Sequence, residues 1–128
     1  MFRRMYMAAL VSQAVALVAV ASAGAAIAAS PPTVHKIGAV TWHAAKFVNQ
    51  DLVLSGYLLL RADGYVLFSD EPGGRVSQHD LPVTGAGIEL VQPKIRYAIR
   101  GHFVHGGLVA SNGNPYHLEL SAVPEQEN

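Results

Sequence analysis

The sequence predicts an all-β fold: a small five-stranded barrel preceded by a short helix and by an N-terminal signal helix. Three observations point there. Past Asp51 the apolar residues alternate with a period of two. Turn chemistry rich in Asp, Gly, Asn and Pro interrupts that alternation repeatedly. Before it, 22 of the first 28 residues are apolar, a composition unlike the rest of the chain.

The amino end comes first. Arg3 and Arg4 form a basic start, Ala8 to Ala28 carries no ionisable group, and Ala26-Ile27-Ala28 offers small residues for cleavage. That order is the pattern of a secretory signal over 1–28, which places the body in the periplasm or outside the cell. An uncleaved membrane anchor is the alternative, since 21 uncharged residues could span a bilayer. Without the two early arginines the body holds seven Lys and Arg against nine Asp and Glu, which disfavours capture of nucleic acid or anionic lipid. The chain has no cysteine, so disulfides, thiolate nucleophiles and Cys-ligated zinc are excluded.

The body reads as one domain over 41–123, between a linker at 29–40 and an acidic tail at 124–128. Pro31 and Pro32 hold the linker extended, because neither offers an amide donor and each restricts its neighbour. Trp42, Ala45 and Val48 recur at helical spacing, predicting the short helix over Thr41 to Asn49. Leu52 to Leu60 then reads as a strand buried on much of both faces, with Gly56 as the place for a bulge or bend. Ala62-Asp63-Gly64 makes a hairpin turn into a second strand, Tyr65 to Ser69. A third strand belongs somewhere in Arg75 to Val91, interrupted by Pro82, Gly85 and Gly87.

The last two strands are Arg96 to Val104 and Tyr116 to Ala122. Tyr97, Ile99 and Phe103 share one face of the former, and Arg96, Arg100 and His102 the other; Tyr116, Leu118 and Leu120 alternate with His117, Glu119 and Ser121 in the latter. Pairing Arg100 with Glu119, His102 with His117 and Phe103 with Tyr116 keeps the apolar residues together, so that register is expected. Five strongly twisted strands in so short a body close most economically into a barrel, a β-sandwich being the runner-up.

Ala44-Ala45-Lys46, Asp51-Leu52-Val53-Leu54-Ser55-Gly56, Asp63-Gly64-Tyr65-Val66-Leu67-Phe68-Ser69-Asp70 and Tyr97-Ala98-Ile99-Arg100-Gly101 together resemble the small exported bacterial OB-fold family, over roughly Thr41 to Val123. The resemblance implies an OB-like Greek-key barrel serving as a periplasmic binding scaffold, associated with envelope stress or with recognition of small ligands or peptides, and no catalysis. The chain departs from the family pattern at the third strand, and after Gly101, where His102-Phe103-Val104-His105 stands in place of an acidic turn.

Candidate site residues follow from faces and residue types. Tyr57, Tyr65 and Phe68 lie on the first hairpin, where OB barrels present stacking aromatics, and Arg96, Arg100, His102 and His117 lie on the polar face of the last two strands. No metal site is expected, because in the closest set of the body's six histidines, His102, His105 and His117, only His102 and His117 share a face, and as solvated imidazoles they leave a shell incomplete. Three arginines make a poor phosphate groove, no Gly-x-Ser-x-Gly elbow or phosphate loop occurs, and the expectation is a non-enzymatic protein without cofactor. Its ligand would be a small molecule, glycan or peptide. An envelope protein docking on the exposed edge of the weak third strand is the alternative.

Overall fold

A computed structural model describes residues 32–128. The signal segment and its cleavage site lie outside the described residues.

The described residues form seven strands, one short α-helix and two 3-10 turns, Ala44–Lys46 and Ile88–Leu90; the strands and helix are β1 Val34–Lys36, α1 Ile37–Thr41, β2 Asp51–Ala62, β3 Tyr65–Ser69, β4 Leu81–Thr84, β5 Arg96–His105, β6 Tyr116–Leu120 and β7 Glu125–Gln126. Five of them close into a barrel in the order β2-β3-β4-β6-β5, with β5 returning to β2. β2 makes closure possible by serving two neighbours. Its first half, Asp51 to Tyr57, pairs with β5, and from Tyr57 onward it pairs with β3. The change of partner falls at Tyr57, just after Gly56, where a side chain would meet Ile37 and the Ser69 carbonyl. The bulge itself sits two residues on: Leu58 faces Phe68 but Leu60 faces Leu67, leaving Leu59 unpaired. That extra residue reverses the parity, so Leu60, expected inside with Leu58, is exposed.

The hairpin turn forms as the sequence implies, Ala62 facing Tyr65 across Asp63-Gly64, with Gly64 at φ +87°. The third strand proves to be interior. β4 pairs with β3 on one side and with β6 on the other, the β6 ladder starting at Val83, past the proline that has no amide to give. The edge-docking expectation loses its stated basis there, because the free edges belong to β1 and β7, three and two residues long.

Two boundaries and one register differ from expectation. The α-helix precedes Trp42 and the expected span keeps only a 3-10 turn at Ala44–Lys46, because Ile37, Val40 and Ala44 are the residues the core buries, while Trp42 stays 65% exposed. Its missing N-cap side chain is replaced from afar: the Asp70 carboxylate accepts the Ile37 and Gly38 amides at 2.7 and 2.9 Å. Trp42 instead stacks on His79, centroids 3.5 Å apart and planes 15° from parallel, joining the end of α1 to the loop before β4. The linker and tail are also structured, with β1 lying parallel on β2 and β7 antiparallel on β5. Between β5 and β6, His102 faces Glu119, Phe103 faces Leu118 and Val104 faces His117, two residues away from the expected pairing. A shift of two preserves the faces, so alternation alone could not choose; the Gly106 amide donating to the Pro115 carbonyl at 2.8 Å closes the loop in the observed register.

Leu52, Leu54, Leu58, Val66, Phe68, Leu81, Val83, Tyr97, Ile99, Phe103 and Leu118 fill the barrel, joined by Ile37 and Val40 from α1. A second apolar cluster lies outside it, where Leu108 and Ala110 of the β5–β6 loop cover Tyr65 and Leu67.

Candidate functional site

Strand parity puts Asp51, Val53, Ser55 and Tyr57 of β2 on the outer face, beside Arg96, Ala98, Arg100 and His102 of β5. Tyr57 is directly opposite Arg96, Val53 opposite Arg100, and Asp51 opposite His102. Tyr57, Arg96, Arg100 and His102 are thus brought together on one sheet surface, flanked by β1 and β7.

Two hollows open on this surface. The larger, about 580 Å³, is lined by Thr33, His35, Gln50, Asp51, Arg100 and Ser121 among others. The smaller, about 450 Å³, has Lys36, Ser55, Tyr57, Asp70 and Arg96 in its wall. Several polar groups are already held. Asp51 Oδ1 lies 2.9 Å from His102 Nδ1, and the Glu127 carboxylate takes the Ser55 hydroxyl at 2.5 Å and the Arg96 guanidinium at 3.3 Å. Ser121 donates its amide and its hydroxyl to the Arg100 carbonyl. Gln50 donates its side-chain amide to the Lys46 carbonyl.

The other three expected site residues lie elsewhere, for physical reasons. Phe68 is 0% exposed, its ring edge-on to Tyr97 inside the barrel, so no ligand reaches it. Tyr65 points outward but is covered by the β5–β6 loop, its hydroxyl accepting the Ser111 amide at 2.7 Å. His117 is only 3% exposed rather than solvated; Nε2 meets Glu119 Oε2 at 3.1 Å, and Nδ1 has no partner. Parity identifies a face, and a covering loop then decides whether that face meets solvent. Asp51 and Gln50 are among the groove residues that sequence reasoning missed, with Thr33, His35 and Ser121. For Asp51 and Gln50 the signal was position, at the first residue of β2 and just before it, next to the polar residues of β5.

One further polar cluster lies in the loop before β4. Burial raises the carboxyl of Asp80 above the usual carboxylate range, and Asp70 adds to the rise; the Ser77 amide, Ser69 and His79 oppose it. Asn112 and Asn114 donate to the Asp80 carbonyl, fastening this loop to the one before β6. Among the described residues no three His, Asp or Glu side chains are grouped to hold a metal ion, and no helix is long and apolar enough to cross a membrane.

No family model matches the chain, and a search of curated proteins finds no match. Among solved structures it superposes on an OBody bound to hen egg-white lysozyme with a TM-score of 0.53, at 18% identity, over 78% of this chain and 98% of that one. The likeness is one of fold. A DUF3299 family protein from Pseudomonas aeruginosa aligns with a TM-score of 0.46 at 12% identity, over 65% of this chain and 64% of the other. The closed five-stranded, OB-like barrel is seen in the strand order, and the superposition agrees with that fold.

Proposed function

We propose that the chain is an exported, non-enzymatic OB-like binding protein that takes a small molecule, glycan or peptide on the outer face of β2 and β5. The observation that carries this reading is the groove of about 580 Å³ floored by that sheet, with the Arg100 and Asp51 side chains at its wall. Both strands belong to the closed barrel, so the groove has a rigid floor and little ordering cost on binding. Export to the periplasm or beyond rests on the character of 1–28, and the family resemblance, with its association to envelope stress, agrees with a binding scaffold.

A thermal-shift screen of small molecules, glycans and peptides, repeated with Arg100→Ala and Tyr57→Ala, tests it. Ligands whose stabilisation falls in Arg100→Ala support the face. Ligands indifferent to both substitutions place binding elsewhere.

A further inference from the structure

The charges of this face select among ligand classes. On its strands and flanks stand Lys36, Arg96 and Arg100 against Asp51, Glu119, Glu125 and Glu127. A strongly anionic ligand would meet more acid than base here, and a strongly cationic one would meet two arginines. Three of these charges are also occupied, Arg96 and Glu127 by each other and Glu119 by His117.

Arg100 and Asp51 differ from the rest, for both line the larger groove. Among the described residues Arg100 makes no ion pair, although its backbone is held by Ser121. Asp51 gives only Oδ1 to His102, which orients the carboxylate and leaves Oδ2 toward solvent, its side chain 89% exposed. Since Asp51 faces His102 and Val53 faces Arg100, the two are diagonal neighbours on one face, with Cβ atoms roughly 7 Å apart. A cation and an anion thus stand side by side in one groove, unpaired with each other.

We infer that the groove recognises a short zwitterionic peptide, its terminal carboxylate on the Arg100 guanidinium and its terminal ammonium on Asp51 Oδ2. This rests on the proposed face and deepens it. A guanidinium offers paired donors matched to a carboxylate, and an extended dipeptide spans about 7 Å, a length that two side chains rising from Cβ atoms so spaced can bracket. Gln50, Thr33 and Ser121 in the same wall supply neutral groups for the peptide bond between the termini.

The test is an NMR titration of the ¹⁵N-labelled full chain with dialanine, N-acetyl-dialanine and dialanine amide. Dialanine is expected to shift β2 and β5 amides, and each blocked form to bind at least about ten-fold more weakly, the loss of one charged contact. In Arg100→Gln the amide should bind no worse than dialanine, and in Asp51→Asn the acetylated form likewise. Equal binding of all three peptides to the wild-type chain overturns the inference. So does silence toward dialanine when a screened neutral compound shifts the same amides, which leaves the face standing. Dialanine shifts confined to other surfaces overturn the face and the inference together.

Discussion

Gly56 lies against Ile37 so closely that an added Cβ would stand 2.8 Å from Ile37 Cγ1 and 2.8 Å from the Ser69 carbonyl oxygen. The isoleucine could adjust; the carbonyl is backbone of β3 and cannot do so without moving the strand. This contact seats α1 on the barrel one residue before β2 changes partner. Gly56→Ala is expected to cost about 1–3 kcal/mol, the usual penalty of overpacking, visible as a lower urea midpoint with an unchanged m-value.

Phe68 and Tyr57 stand on opposite faces of neighbouring strands and should separate stability from binding. Phe68→Ala empties the middle of the core and should lose about 3–5 kcal/mol, enough to unfold much of a small domain. Tyr57→Ala, on the outer face, should leave the thermal midpoint within a few degrees while weakening ligands of the β2–β5 face. Circular dichroism melts of the two variants check the contrast.

His117 is held by one nitrogen and stranded at the other. With Nε2 donating to Glu119, Nδ1 keeps a buried lone pair without a donor, a cost of about 1–3 kcal/mol that offsets the hydrogen bond gained. His117→Leu should therefore be nearly neutral, within about 1 kcal/mol by denaturant titration, because Glu119 is exposed enough to regain water. A loss of several kcal/mol would mean that Nδ1 has a partner after all.

Asp80 predicts a pH dependence of definite sign. Its carboxyl is raised in the folded chain, chiefly by burial, so the native state holds that proton more tightly than the unfolded one. The resulting stability is complete below the unfolded value of about 4 and is lost as pH rises through the higher folded value. Asp80→Asn keeps an acceptor for the Ser77 amide without the charge. The variant should gain on the wild type at pH 7, and the gain should vanish toward pH 4, in thermal melts taken across that range.

How far the chain could be read depended on how local each determinant was. The β2–β3 hairpin was legible because Asp63-Gly64 carries its own turn chemistry. The faces of β5 and β6 were legible from alternation, but their register was not, since pairings two residues apart satisfy the same pattern. The helix was misplaced because Ile37, Val40 and Ala44 repeat at nearly the spacing of Trp42, Ala45 and Val48, and the cap that decides between them, Asp70, lies 33 residues along the chain from Ile37. Tyr57, expected on the hairpin rim, lies on the same outer face as Arg96, Arg100 and His102, whereas Tyr65 is covered by the β5–β6 loop, His117 is buried and Phe68 sits in the core.

The chain has one tryptophan, and it is the residue laid on His79. Its fluorescence is consequently a natural signal for the joint between α1 and the loop ahead of β4, separate from the interior of the barrel. Emission that changes well before the far-ultraviolet signal collapses would report that joint parting while the barrel remains shut.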